Sequence, residues 1–282
     1  RPLYYLLVSA VTNTVLDIVF VKYFAMGIAG VAIATVIAQF LSAVLILIVL
    51  TKSRESYRIS WHGFAWDPPM LRRICRIGLP SALQIAVTSF SNVFVQAYIN
   101  RFGSSCMAGW SSYNKLDAFA LLPMQSLSVA VTTFVGQNLG ARQEKRSKQG
   151  ITCGLWLAMG ITVAILLPLM IFAPQMIGLF NRDAEVLRYG TFFIRVISPF
   201  YLCCTLNQIY AGALRGAGDA KIPVFIMLGS FVVFRQIYLY ATYQIFDTVL
   251  AVALGYPIGW VLCSILFVIY YRRGKWVQKA QQ

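Results

Sequence analysis

Apolar runs alternate along the chain with short polar or charged connectors, and eight such runs can be drawn: 3–24, 28–50, 77–100, 113–136, 151–173, 188–212, 222–243 and 248–271. About 20 apolar residues in a helix cross a hydrocarbon core ~30 Å thick, so each run predicts a membrane-spanning helix. Buried helices of soluble proteins are rarely as long and as uniformly apolar. The expected class is all-α, a polytopic transmembrane helical bundle. Pro2 and Pro223 open the first and seventh runs, where a missing N–H costs nothing.

Composition agrees, with 59% apolar and 12% charged residues, against roughly 25% charged in an ordinary soluble domain. The net charge of +15 does not point to nucleic acid, because its distribution is periodic. Lys and Arg gather at Lys52–Arg76, Arg142–Lys148, Arg215–Lys221 and Arg272–Lys279, on every second connector. The intervening connectors carry Lys22, Arg101, Lys115, Arg182 and Arg188 with Asp183, Glu185 and Asp247. That alternation is the positive-inside pattern, and it places both ends of the chain and the 51–76 linker in the cytoplasm. The six cysteines show no CxxC spacing and read as small packing residues. His62, the single histidine, lies in the "SWHGFAWDPP" linker. One linker histidine, one deep aspartate and scattered cysteines assemble no catalytic or metal constellation, which excludes a membrane-embedded enzyme.

The deep aspartate is Asp17, in "TNTVLDIVF". It lies ~21 Å along the first helix at 1.5 Å per residue, past the midplane, where a charged carboxylate costs about 2.5–3.5 kcal/mol or more. Asn13 is four residues earlier and shares its face, and Thr35 lies at comparable depth in the second helix. Carboxylate, amide and hydroxyl oxygens together suit a hard cation such as Na⁺, or a carboxylate that takes up and releases H⁺. The competing reading is a polar packing cluster. Other intramembrane polar residues are candidates for a substrate cavity: Asp117, Gln84, Asn207 and Arg235. Asp117 lies near the outer start of the fourth run, so a helix N-terminal charge is the alternative for it. Arg195 and Arg235 are as compatible with snorkelling or polar pairing as with a ligand role.

A shift of 221 positions aligns "GVAIATVIAQFLSAVLILIVLTKSR" (30–54) with "AVALGYPIGWVLCSILFVIYYRRGK" (251–275) and matches Val31/Val252, Ala32/Ala253, Ile37/Ile258 and Leu45/Leu266. Both helix pairs begin and end on the same side, which makes this a parallel repeat. Residues 1–50 are then the last two helices of a first half, 51–76 a basic cytoplasmic linker, 77–271 a six-helix second half and 272–282 a cytoplasmic tail. Eight spans of an expected twelve are present, and with no initiator Met the start of the parent is expected to be missing. At the repeat-equivalent positions Asn13, Asp17 and Thr35 become Phe234, Tyr238 and Tyr256.

"IGLPSALQ" (77–84), "VGQNLGAR" (135–142), "ISPFY" (197–201), "LRGAGDAKIP" (214–223) and "FRQIYLY" (234–240) occur in order across the runs. With them the chain resembles the multidrug and toxic compound extrusion (MATE) family, in its DinF-like bacterial branch. The resemblance implies a multi-pass protein of the bacterial inner (plasma) membrane and a secondary active exporter. Such an exporter antiports amphipathic or cationic organic compounds against H⁺ or Na⁺ by alternating access, with no cofactor besides the coupling ion, as a monomer when full length. It also implies that Asn13, Asp17 and Thr35 form the first-half cation site, joined by an Asp from a helix outside this chain. The carboxylates that the NorM-like branch places in the second half are missing. A lipid-linked oligosaccharide flippase of related architecture and a non-functional fragment of an exporter are the alternatives.

Overall fold

The computed structural model describes residues 2–53, 58–59, 66–246, 248–274 and 276. His62, Asp247, much of the linker and most of the C-terminal tail lie outside the described residues. The described residues are helical nearly throughout and contain no strand. Among them, eight helices are long and apolar enough to cross a membrane: Leu3–Tyr23, Gly27–Lys52, Pro68–Asn100, Ser104–Gly140, Glu144–Ile171, Ala184–Gly216, Lys221–Ile245 and Val249–Arg272. They correspond one to one with the eight apolar runs.

Several helices extend beyond their run. Helix α3 (Pro68–Asn100) begins inside the segment expected to be linker, α4 (Ser104–Gly140) begins at 104 rather than 113, and α5 (Glu144–Ile171) begins at 144 rather than 151. An apolar run marks only the hydrocarbon-facing part of a helix, while the internal hydrogen bonds continue into polar surroundings.

Three spans are interrupted. The first is α1 (Pro2–Ile18) followed by a π-helical turn at Val19–Tyr23. The sixth is α7 (Ala184–Ile197), a 3₁₀ turn at Ser198–Phe200 and α8 (Tyr201–Gly216). Pro199 sits in that turn and has no N–H to continue the α ladder. The seventh is α9 (Lys221–Leu228), a π turn at Gly229–Phe234 and α10 (Arg235–Ile245). The remaining helices are α2 (Gly27–Lys52), the short α6 (Ala173–Gly178) and α11 (Val249–Arg272). Pro123, Pro168 and Pro257 lie within continuous helix, whereas Pro199 stands at a break between two helices.

The chain divides into two compact units, Arg1–Pro68 and Pro69–Gln282. In the first, α2 turns a stripe of Gly30, Ala34, Ala38 and Ser42 inward at four-residue spacing. A Cβ on Gly30 would stand 2.9 Å from the Phe20 Cβ, and Ser9 Oγ donates to the Ala38 carbonyl at 2.6 Å. Small residues at this spacing let membrane helices approach closely. In the second unit, α4 packs on α5, α7 and α8. On α8, a Cβ at Gly212 would lie 2.5 Å from the Ser128 carbonyl, and one at Gly216 would strike that of Thr132. The crossing is tied by Ser128 Oγ to the Gln208 carbonyl at 2.6 Å and Thr132 Oγ1 to the Gly212 carbonyl at 2.9 Å. The "RGAGD" segment closes α8 through Gly218 at φ 81°. After α4, by contrast, the left-handed residue is Arg142 at φ 58° and not a glycine. Gly136 serves close approach instead, since a Cβ there would sit 3.3 Å from the Gly216 carbonyl.

Candidate functional site

In the first unit, Asp17 is the penultimate residue of α1, and the π turn begins two residues later at Val19. Single π turns within α-helices recur at functional positions. Asn13 Nδ2 reaches Thr35 Oγ1 at 3.5 Å, and Thr35 Oγ1 in turn donates to the Val31 carbonyl at 2.9 Å. The structure therefore joins α1 and α2 through two of the three residues picked out by the sequence. The third is treated differently: Asp17 is half-buried, and its Oδ1 is closed off from solvent with no hydrogen-bond partner. Asn13 does not bond that oxygen, which weighs against Asp17 as packing glue. A shielded acceptor with no donor requires something to satisfy it. The carboxylate, hydroxyl and amide oxygens of Asp17, Thr35 and Asn13 are the donor types that a proton or a hard cation takes, and in this conformation Asn13 turns Nδ2 toward Thr35.

The second unit has two polar centres. In one, Arg235 is buried and its Nη2 donates to Ser91 Oγ at 2.7 Å and Asn92 Oδ1 at 2.9 Å. Its guanidinium lies 4.7 Å from the centroid of the Tyr256 ring, and Tyr256 O–H donates to Asn92 Oδ1 at 3.3 Å. Gln236 Nε2 adds bonds to Ser91 Oγ at 2.8 Å and to the Ser91 carbonyl at 3.1 Å. Arg235 immediately follows the second π turn. Under the 221-residue shift Tyr256 takes the place of Thr35, and its helix pair carries a buried arginine whereas α1 and α2 carry an acid.

In the other centre, Asp117 Oδ1 accepts from Tyr113 O–H at 3.1 Å and from Tyr201 O–H, and the two phenol oxygens are 3.3 Å apart. Because α4 begins at Ser104, Asp117 lies more than three turns inside it. The helix-terminal role weighed for it is thereby corrected, since the dipole acts only within the first turn. Trp110 packs against Tyr113 and Phe193, and Trp260 against Tyr201, at centroid separations of 5.1, 4.9 and 5.8 Å.

The remaining cavity candidates are packing groups in this conformation. Gln84 is buried with Nε2 on the Met227 sulfur at 3.1 Å. Asn207 is fully buried, donating to the Trp260 carbonyl at 3.0 Å and accepting from Ser264 Oγ at 2.9 Å. Gln84, Asn207 and Arg235 thus bind helices to each other, and of the four candidates Asp117 alone is partly open. Tyr113 and Tyr201 were not singled out by sequence. Tyr113 precedes Asp117 by four residues on one helix, a visible signal, whereas Tyr201 reaches it from 84 positions away.

A family model described as MatE matches residues 80–241. The "Probable multidrug resistance protein YoeA" of Bacillus subtilis is 26% identical over 280 residues, which are 96% of this chain and 60% of that protein. The "Probable multidrug resistance protein NorM" of Thermotoga maritima is 25% identical over 264 residues, covering 90% of this chain and 55% of that one. Among solved structures, an outward-facing multidrug resistance MATE family transporter of the MOP superfamily superposes with a TM-score of 0.88 at 22% identity, over 97% of this chain and 61% of that one. The chain spans about three fifths of the length of the first relatives it matches.

Proposed function

This chain belongs to the MatE family, and on that premise we propose that it works in cation-coupled export of amphipathic or cationic organic compounds across the bacterial inner membrane, with H⁺ or Na⁺ as the co-transported ion. Its α-helical, multi-pass architecture supports a transporter, and the relatives named for multidrug resistance supply the substrate class. The observation that carries the coupling is Asp17 Oδ1, shielded and without a partner, one helical turn beyond the Asn13–Thr35 contact.

A carboxylate in that place has two states of different energy. Unloaded, it is charged in a poorly solvated span, at a cost of several kcal/mol. Loaded with H⁺ or Na⁺, the charge is offset and the oxygen satisfied. Because Asn13 and Thr35 connect α1 to α2, loading changes what holds these two helices together. The π turn supplies a backbone segment whose hydrogen bonds can shift register. The two loading states then favour different arrangements of the pair, which is the differential affinity that alternating access needs.

The test is ethidium transport in inverted vesicles under an imposed H⁺ or Na⁺ gradient, comparing wild type with Asp17→Asn at equal protein level. Loss of gradient-driven transport with ethidium binding retained is the expected result, and the effective gradient identifies the ion. Undiminished transport in the variant would return Asp17 to a packing role. Absence of ethidium movement in either protein under both gradients would turn the search to lipid-linked substrates.

A further inference from the structure

Arg188, Thr191 and Arg195 follow one another along α7 at i, i+3 and i+7, so they stand on one helix face. They border a cavity of about 460 Å³ whose apolar wall includes Leu187, Phe192 and Val196. Both arginines are exposed. Among the described residues neither guanidinium has a carboxylate partner or a hydrogen-bond acceptor, and Arg188 only overlies the Tyr189 ring at 5.4 Å.

The acids nearest in sequence do not answer them. The Asp183 side chain caps α7 by accepting from the Glu185 and Val186 amides at 2.9 and 3.3 Å. Glu185, one turn from Arg188, is exposed and forms no ion pair with it. The third donor is also idle: Thr191 Oγ1 is buried with no partner. Elsewhere in the spans the usual arrangement is a bond to the carbonyl one turn back, as Thr14, Thr133 and Thr162 make to Ala10, Val129 and Ala158.

An arginine keeps its charge at any physiological pH. Arg195 is ~16 Å from the start of α7 at 1.5 Å per residue, about half the thickness of a hydrocarbon core. Side chains on a helix lean toward its N-terminus, so both guanidiniums reach toward the leaflet in which α7 begins. The face therefore presents two cationic forks above an apolar wall, with the unpartnered Thr191 hydroxyl shielded between them.

We propose that this face binds an anionic phospholipid of that leaflet. The phosphate lies between Arg188 and Arg195, an arrangement suited to bidentate guanidinium–phosphate bonding. A turn about χ1 brings the shielded Thr191 hydroxyl out to donate to a phosphate or ester oxygen, and the acyl chains follow Leu187, Phe192 and Val196. A free phosphate would use the donors and leave the apolar wall bare, which is why a lipid is the fitting occupant. A choline headgroup brings a cation against two arginines and is disfavoured.

The test is native mass spectrometry of this chain in detergent with phosphatidylglycerol or phosphatidylcholine of the same acyl composition. Wild type is expected to retain phosphatidylglycerol preferentially. Arg188→Gln combined with Arg195→Gln is expected to weaken that retention by about thirtyfold, taking ~1 kcal/mol per basic residue. Thr191→Val, which keeps both charges and the fold, is expected to weaken it severalfold, so a folding failure of the double variant does not decide the matter. Equal retention of the two lipids by wild type, or undiminished retention in both variants, overturns the proposal. Displacement of the lipid by inorganic phosphate at equal concentration overturns the lipid assignment.

Discussion

Asp17 and Asp117 both lie well inside spans, and their surroundings treat them in opposite ways. Asp117 shares one oxygen between two phenols, while Asp17 holds one oxygen away from every donor. Phenol bonds to an acceptor of this kind contribute about 0.5–1.5 kcal/mol each, and more where the acceptor is charged. Tyr113→Phe and Tyr201→Phe should therefore each lower the unfolding midpoint in detergent by a loss of that order. Because either phenol alone still satisfies the oxygen, the double variant should lose more than the sum. Simple additivity would mean that the two do not share the acceptor. Asp17→Asn removes no bond at Oδ1, so its midpoint should stay near wild type even as gradient-driven transport stops. A large fall in stability with Asp17→Asn would point to a structural role. Asp17 was legible in the sequence because a lone acid among apolar residues stands out. Tyr201 was not, because a phenol in an aromatic-rich chain carries no mark of the helix it will meet.

The elements are set by where backbones can touch. The crossing of α4 and α8 depends on Gly212 and Gly216, where any side chain would run into the carbonyls of Ser128 and Thr132. Gly216→Ala should force the helices apart and cost about 1–3 kcal/mol, the range for overpacking a tight site. Gly160→Ala is the control. Gly160 lies within α5, and a Cβ there would meet nothing within 4 Å. That substitution should be neutral or stabilise by up to ~1 kcal/mol through helix propensity. Thermal unfolding of the two variants checks both, and equal effects would remove the close-approach explanation. The π turns at Val19–Tyr23 and Gly229–Phe234 border Asp17 and Arg235. Neither turn was visible in the hydropathy pattern, because a π turn preserves an apolar run while altering the hydrogen-bond register beneath it.

For the whole molecule, the charge alternation yields an orientation that can be checked directly. With both ends of the chain cytoplasmic, a green fluorescent protein fused after Gln143 should fluoresce, because that connector carries Arg142, Lys145, Arg146 and Lys148. Alkaline phosphatase fused after Arg182 should be active, since that orientation puts this sparsely basic connector on the far side. The opposite pair of results would invert the topology and place the α7 lipid face in the cytoplasmic leaflet.

The sequence by itself determined the helical class and the number of spans found among the described residues, and it singled out the polar trio of the first two helices. All three follow from the same constraint, that a chain in hydrocarbon must satisfy its backbone internally and account for each charge. Only the tertiary structure decided where helices exceed their apolar runs, which glycines form contacts, and what each polar side chain meets. Asn207 and Arg235 looked like cavity residues in the sequence, yet they hold α8 to α11 and α10 to α3 through hydrogen bonds. A polar side chain in a span must find a partner, but hydropathy carries no record of which neighbouring helix provides it. That choice belongs to helix packing, which depends on small residues spaced along faces that the one-dimensional pattern leaves unpaired.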